Sequence, residues 1–540
     1  MALVLRLAFI AVGLVVVYYR FRAKKGIPSG LRPVPGPPGF PFVGNSLQIS
    51  EHPQRTYMRW ANEYGEIYKI RLGWNDWYML NSPQAVKDVI DKQSSNTSSR
   101  APLPVASDAL SGGMRFLLMP YGPDWRKLRS LAHKLLTPKM SDTFKPSQEF
   151  EVKQLLYDLL TDNKSNTEFY MHVRRYTVSV IMTTTYGKRV PKWDCEDVRE
   201  IYGLMKDFSE VAAPGKYLAD TLPLLGHLPA GLQWWRKSVL PLQQRQARIW
   251  MKYFSNLKTQ LETKQAPECF VKQVIEEDYE KLDISELQAA FLAGSMIEAG
   301  SETTSSALNS CLLYLSAYPE VTSKAYEEIA RVIGEHRSPT FEDEDSLPYI
   351  RAIIKEALRL RPVTNMGTPH YTTADTTYKD YFIPKNSVVC IQQYPIHYDP
   401  LRYPEPDKFK PERYLDHPFG AGYYAASSDP YERDHFSFGA GRRICSGLHL
   451  AENSLFITVA NILWAFDIRP PLGTNGRELP VNVGDDAYER GGNTLPKPFS
   501  ARFIPRSKKT EETIKTQWEC AQRDGYTLRN IQVSVTGVVA

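Results

Sequence analysis

The sequence lacks the signatures of several protein classes. Its 540 residues include only six cysteines: Cys195, Cys269, Cys311, Cys390, Cys445 and Cys520. None forms a CxxC pair and none has a histidine at zinc spacing, which excludes a disulfide scaffold and a zinc module. Sparse cysteine suits a reducing compartment, where each is either a small buried apolar residue or a thiolate ligand. Five of the six read as the former. The net charge is only +6, and the cations are not gathered on one element, so nucleic-acid binding is set aside. No internal repeat or low-complexity segment divides the chain. Apolar and aromatic residues are plentiful: 42% of the chain is hydrophobic and 23% charged, with 31 Tyr and 22 Phe. That composition belongs to a folded enzyme and excludes collagen-like and disordered classes.

Long apolar runs are also scarce, and the first stands at the amino terminus. Leu7 to Tyr19 is unbroken, and counting back through Arg6 to Leu3 brings it just short of the roughly 17 to 25 residues of a membrane-spanning helix. A cleaved secretory signal is the alternative. It is opposed by the bulky Val17-Tyr18-Tyr19 ending and by Arg20, Arg22, Lys24 and Lys25 immediately after. These four charges outweigh Arg6, which can snorkel, and they place the body of the chain on the cytosolic side. Residues 1–25 are therefore expected to be a single-pass anchor. The basic, proline-rich stretch 26–45, including Arg32-Pro-Val-Pro-Gly-Pro-Pro-Gly-Phe-Pro41, reads as a stiff extended spacer. The triplets at Asn96 and Asn163 match a glycosylation signal that this topology leaves unused.

Residues 46–506 read as one mainly helical domain with small β-sheets, and 507–540 as a tail of undefined structure and role. Short strand patterns occur at 66–72, 77–80, 378–383 and 387–391. Phe291 to Leu315 reads as a long helix interrupted by Gly294, Gly300 and a polar patch, Ser301-Glu302-Thr303-Thr304. Ser346 has the character of an N-cap, with Pro348 in the first turn of a helix running to Arg361-Pro362.

The strongest chemical signal is Phe438-Gly-Ala-Gly441-Arg-Arg443-Ile-Cys445-Ser-Gly447, followed by a helical pattern from Leu448 to Trp464. At this composition, Phe-x-x-Gly-x-Arg-x-Cys-x-Gly should arise by chance roughly once in 10⁴ such chains. A thiolate that ligates iron has to stay ionised in a dry site, which needs backbone donors and positive potential near sulfur. Gly441 and Gly447 allow tight folding around the sulfur, and the following helix aims its positive end towards it.

This loop closely resembles that of the cytochrome P450 family, and further motifs follow in the family's order along nearly the whole chain. Trp125-Arg-Lys-Leu-Arg129 matches WxxxR. Ala299-Gly300-Ser-Glu302-Thr303-Thr304 matches the oxygen-binding motif. Glu356-Ala-Leu-Arg359 matches ExxR, and Pro411-Glu-Arg413-Tyr414 matches the PERF element with Tyr at its end. An isolated ExxR is usually a solvated helix pair, so order and spacing carry the weight. The resemblance implies the haem-thiolate fold, mainly helical with small sheets behind an amino-terminal transmembrane helix. It also implies haem b, with Cys445 as the axial iron ligand and Trp125, Arg129, Phe438 and Arg443 around the haem. His370 is either a further propionate contact or a satisfied loop histidine. Glu356, Arg359 and Arg413 are expected to form a buried structural network. Ala299 and Gly300 would loosen the central helix over the iron, with Glu302 and Thr303 handling protons.

The implied activity is that of a monooxygenase using dioxygen and an NADPH-dependent cytochrome P450 reductase, with cytochrome b5 as a further donor, at the endoplasmic reticulum membrane. A haem-thiolate isomerase or dehydratase needs no proton relay, so the Glu302-Thr303 pair opposes it; a non-catalytic membrane haem protein is the third alternative. The form of the motifs looks most like microsomal enzymes of filamentous fungi that tailor secondary metabolites, including small aromatic polyketides. Pocket walls are expected from Leu103, Val105, Leu110, Met114 and Phe116, from Leu292, Ser295, Met296 and Ala299, and from Val363–Met366 and Asn493–Leu495. This set contains no charged side chain, which implies a neutral, mostly apolar substrate. Arg126, Lys127, Lys134 and Arg442 are the expected reductase-docking cations, and Leu222 to Trp235 is a candidate second membrane surface.

Overall fold

A computed structural model describes residues 26–536 apart from 42, 74, 164, 165, 492 and 530. The expected anchor at 1–25 lies outside these residues. Among the described residues, no helix is long and apolar enough to cross a membrane.

The architecture is mainly helical. Its axis is the helix Glu286–Ala317, opened by a capping box in which Ser285 and Gln288 satisfy each other's backbone N–H. This central helix runs without a break, which corrects the expected interruption. Gly294 and Gly300 serve packing instead: an added Cβ would lie 2.4 Å from the Trp250 ring at the first and 2.7 Å from Ile181 at the second. Arg236–Glu262 and Phe169–Tyr186 are thereby drawn tightly against it. Leu308 and Leu312 of the central helix meet Ile353 of Pro348–Leu360 and Ile457 and Leu463 of Leu448–Ala465 in the largest core.

A four-stranded sheet in the order Ile67–Leu72, Asn75–Leu80, Val388–Ile391, His370–Tyr371 stands beside this helical body. Its inner pair is parallel, with Trp77 opposite Val388, and its edge pair puts His370 opposite Val389. The expected 378–383 strand is two strands, Thr376–Tyr378 and Tyr381–Ile383, joined by a turn with Lys379 at φ 51°.

The proline-rich segment is extended but is not a free spacer. Arg32–Pro33 pairs in parallel with Tyr381–Phe382, Lys69 N–H donates to Pro35 O at 2.7 Å, and Val34 is buried. From Arg32 onward it is part of the folded body.

Ser346 is not the cap of the following helix but the last residue of the short turn Phe341–Ser346. Leu347 takes the cap position with no side-chain bond. The helix start is instead satisfied from a neighbouring helix, where both Glu328 carboxylate oxygens accept from Tyr349 N–H at 3.1 Å. Pro362 ends the helix as expected.

The tail, undefined in sequence, is folded. Ser507 caps the helix Lys508–Asp524, and a hairpin follows, Tyr526–Leu528 with Ile531–Val533. Trp518 and Tyr526 both pack on Phe150, with ring centroids 5.6 and 4.9 Å away. Arg189 ties the tail inward, donating to Val535 O at 2.7 Å and to the buried Glu151 carboxylate at 2.7 Å.

Candidate active site

The cysteine loop is shaped by backbone that only glycine adopts easily. Gly439 and Gly441 have φ of 73° and 61°, and a Cβ on Gly441 would stand 2.7 Å from the Ile90 carbonyl oxygen. Cys445 N–H donates to Phe438 O at 2.8 Å, closing the loop. Gly447 has another reason to be glycine: its φ is −93°, and a Cβ there would meet nothing within 4 Å. Any side chain at Gly447 would begin to fill the space before Cys445. Burial raises the Cys445 thiol pKa, while the Gly447 N–H and the charge of Arg129 draw it down. The amino end of Leu448–Ala465 begins directly behind the loop.

Cys445 opens onto a cavity of about 440 Å³ that also contacts Phe438 and Gly447 on its side and Ala299, Gly300, Glu302 and Thr303 of the central helix. The structure thus brings together the two motifs separated by some 140 residues in sequence.

At the cavity rim three guanidinium groups converge with no carboxylate paired to them among the described residues. Arg443 lies 3.9 Å over the Trp125 ring and donates to the carbonyls of Ser98 and Met119 at 2.8 and 2.7 Å. Arg129 donates to Ile444 O at 2.7 Å. Arg100, which the sequence analysis did not single out, is buried and donates to the carbonyls of Leu117, Thr368 and Pro369. Burial pushes Arg443 down to about 8 and Arg100 to about 10, and lowers Arg129 as well. Trp125 Nε1–H is buried with no partner among the described residues. His370 is fully enclosed, its Nδ1 2.8 Å from Thr97 O. Burial, followed by the charges of Arg100 and Arg443, pushes its pKa down to about 3, so it is neutral at physiological pH.

On the opposite face, Thr303 Oγ1 donates to the Ala299 carbonyl one turn back at 2.5 Å. Glu302 accepts from Asn493 Nδ2 at 2.9 Å, and Asn493 is itself bridged to Thr364. The walls differ from expectation. Phe116, Ser295, Met296, Ala299, Val363, Thr364, Met366 and Asn493 line the cavity. Leu103, Val105 and Leu110 turn away into a separate cluster with Val211 and Trp235, Leu292 is fully buried in the helical core, and Met114 packs against that core. Asn365 is occupied, accepting from Thr494 Oγ1 and donating to Gly491 O. The expected absence of charge from the walls also fails, because Arg115 and Glu298 line the cavity as an ion pair.

Behind the cysteine side, Arg359 donates through Nε and Nη2 to both Glu356 oxygens at 2.7 and 2.8 Å, with neither side chain exposed. Arg413 approaches the same carboxylate at 3.3 Å, and Lys410 N–H adds a bond at 2.9 Å. Burial alone would lower the Arg359 pKa, but the Glu356 bonds raise it overall. The model of the family described as Cytochrome P450 matches residues 34–481. The chain belongs to the cytochrome P450 family. Among its relatives, cytochrome P450 monooxygenase pgmC of Aspergillus terreus is 44% identical over 510 residues, spanning 94% of this chain and 93% of that protein. Monooxygenase verL of Clonostachys rogersoniana is 39% identical over 91% of this chain and 90% of its own. Monooxygenase virE of Hypocrea virens is 36% identical over 90% and 87%. This P450 is accordingly a haem-dependent monooxygenase.

Proposed function

We propose that this P450 oxidises a ring-bearing, mostly apolar secondary metabolite of the aromatic polyketide kind, with Cys445 as the residue that would hold the haem iron and Glu302 and Thr303 as the proton route. The observation that carries the site assignment is the unmet positive charge at the cavity rim. Arg100, Arg129 and Arg443, with the orphaned Trp125 Nε1–H, form a donor set suited to two carboxylates. Haem propionates supply such carboxylates, and the open space before Gly447 leaves the cysteine face free for a flat ring, so the residues present fit haem. When bound, haem supplies the redox chemistry by which one oxygen atom of dioxygen enters the substrate and the other leaves as water.

The chain's own residues then have distinct tasks. Cys445, positioned by its N–H bond to the Phe438 carbonyl, would hold the iron through sulfur; burial raises its thiol pKa, and the Gly447 N–H and Arg129 oppose that rise. Thr303 has its proton engaged with Ala299 O, so its oxygen lone pairs are left to hold an incoming water or hydroxyl group. Glu302, steadied by Asn493, carries protons between that point and solvent. The apolar walls exclude bulk water.

For electron supply we favour an NADPH-dependent reductase. The cationic face expected to receive it is thinner than its sequence suggested: Lys127 pairs with Asp283 and Lys134 with Glu277, each at 2.9 Å, and Arg442 is engaged with Tyr121. Arg126 is left as the main candidate. We also favour anchoring at the endoplasmic reticulum through residues 1–25; a second membrane contact within Leu222 to Trp235 is supported by the strongly exposed Leu224, Leu232 and Trp234, although Trp235 itself is buried.

The test is spectroscopic. The ferrous carbon monoxide form should show the strongly red-shifted Soret band of a thiolate ligand, and its retention in Cys445→Ala would overturn the ligand assignment. Thr303→Ala should divert NADPH-derived electrons to peroxide with substrate affinity little changed; unchanged coupling would count against the proton route.

A further inference from the structure

The ion pair in the cavity wall is unequally satisfied. Arg115, 4% exposed, donates through Nε to Ser111 Oγ at 3.2 Å and through Nη1 to Glu298. Its guanidinium lies 3.8 Å over the Phe208 ring, and Phe208 also lines the cavity. Nη2, with two N–H groups, is buried and has no partner among the described residues. Glu298, by contrast, has both oxygens engaged, one by Arg115 and the other by Gln246 Nε2 at 3.2 Å. The pair is therefore electrically closed but has a donor left over.

A buried donor without an acceptor is costly, by about 1 to 3 kcal/mol, and a group bound beside it recovers that cost. We propose that Arg115 is a substrate-anchoring residue whose Nη2 donates to an uncharged oxygen, a ketone or hydroxyl, on a ring-bearing substrate. The inference rests on the P450 reading of the cavity and narrows its substrate class. An uncharged acceptor is specified because Glu298 already balances the guanidinium, so a carboxylate would enter as an unpaired buried anion next to another. The ring is specified by Phe116, Phe208 and Met296 in the same wall.

Three inert probes of one shape test this: 2-acetylnaphthalene, 2-ethylnaphthalene and 2-naphthoate, titrated into the ferric holoprotein by calorimetry and by the spin-state shift. The variants are Arg115→Met and the double variant Arg115→Met/Glu298→Leu, which removes both charges together. The ratio of ketone to ethyl affinity is expected to fall about tenfold in both variants, while 2-ethylnaphthalene binding moves less than about threefold. If Arg115→Met alone does not fold, the double variant carries the test. An unchanged ratio would make Arg115 a structural residue only, and naphthoate binding more tightly than the ketone would overturn the uncharged class. Failure of the ketone to bind at its solubility limit would also count against the proposal. A wild-type protein without the thiolate Soret band would instead overturn the P450 site assignment itself, so the two failures are distinguishable.

Discussion

Two groups of partly or fully buried arginines lie on either side of the cysteine loop, and they obey opposite rules. Around Glu356, the fully buried Arg359 is matched by a carboxylate at two points, and the backbone of Lys410 completes the shell. At the cavity rim, Arg100, Arg129 and Arg443 reach only carbonyl oxygens, and no acidic side chain among the described residues pairs with them. A charge closed within the protein contributes to the fold and is insensitive to ligand. A charge left open raises the free energy of the chain alone and is compensated only when something negative arrives.

The sharpest way to break this contrast is to remove one partner on each side. Glu356→Gln strands Arg359 in a dry core and should cost about 3 to 5 kcal/mol, enough to abolish accumulation of folded holoprotein; a soluble variant with normal haem content and melting temperature would show the network to be dispensable. Arg443→Leu should act the other way. It removes an uncompensated cation, so the melting temperature of the apoprotein should hold or rise, while haem affinity falls about tenfold or more for loss of a charge-assisted bond. Equal losses in apoprotein and holoprotein would erase the distinction between the two groups.

His370 gives a smaller, pH-dependent version of the same test. Its folded pKa of about 3 lies below the ordinary histidine value. The unfolded chain therefore takes up a proton that the folded chain refuses as the pH falls from about 6.5 towards 3, and stability is lost in that window. His370→Gln should flatten the apoprotein's loss of stability below pH 6.5 by about 1.4 kcal/mol per pH unit. The holoprotein provides the second series, in which a carboxylate brought beside His370 would favour the charged imidazole and shrink the difference. Urea titrations at a series of pH values would measure both. The smallest effect is expected at the surface: Lys127→Ala breaks an ion pair whose Asp283 is almost fully exposed, so the melting temperature should not move measurably in moderate salt.

The cysteine loop was legible in sequence because it demands glycine at fixed spacing where φ is positive, whereas the Glu356 network was expected only from the family resemblance, since a carboxylate one helical turn from a guanidinium is by itself an ordinary surface pair. Three strands of the four-stranded sheet were legible as short apolar runs, at 66–72, 77–80 and 387–391, but its two-residue edge strand His370–Tyr371 was not. The rim was read in part. Trp125, Arg129 and Arg443 belong to motifs, whereas Arg100 sits in a loop with no pattern around it, and only the fold carries it to the cavity. The Arg115–Glu298 pair joins residues 183 positions apart, and Glu298 in sequence resembles any solvated helix residue. Leu103, Val105, Leu110 and Leu292 failed as wall residues because an apolar side chain fits a core as readily as a pocket. The tail was a missed signal, since Ile514, Trp518 and Ala521 repeat at helical spacing behind a serine cap and are buried together.

For anyone wishing to redirect this enzyme by directed evolution, the two close glycine contacts on the central helix divide the usable positions from the forbidden ones. Ser295 and Met296 face the cavity and can be randomised to redraw its contour. Gly294 cannot, because a Cβ there would stand 2.4 Å from the rigid Trp250 ring, and Gly300 is best spared, because a Cβ there would stand 2.7 Å from Ile181 and force that side chain aside beside Thr303. A library that spares these two glycines varies the shape of the pocket while the reaction geometry stays registered to the same rail.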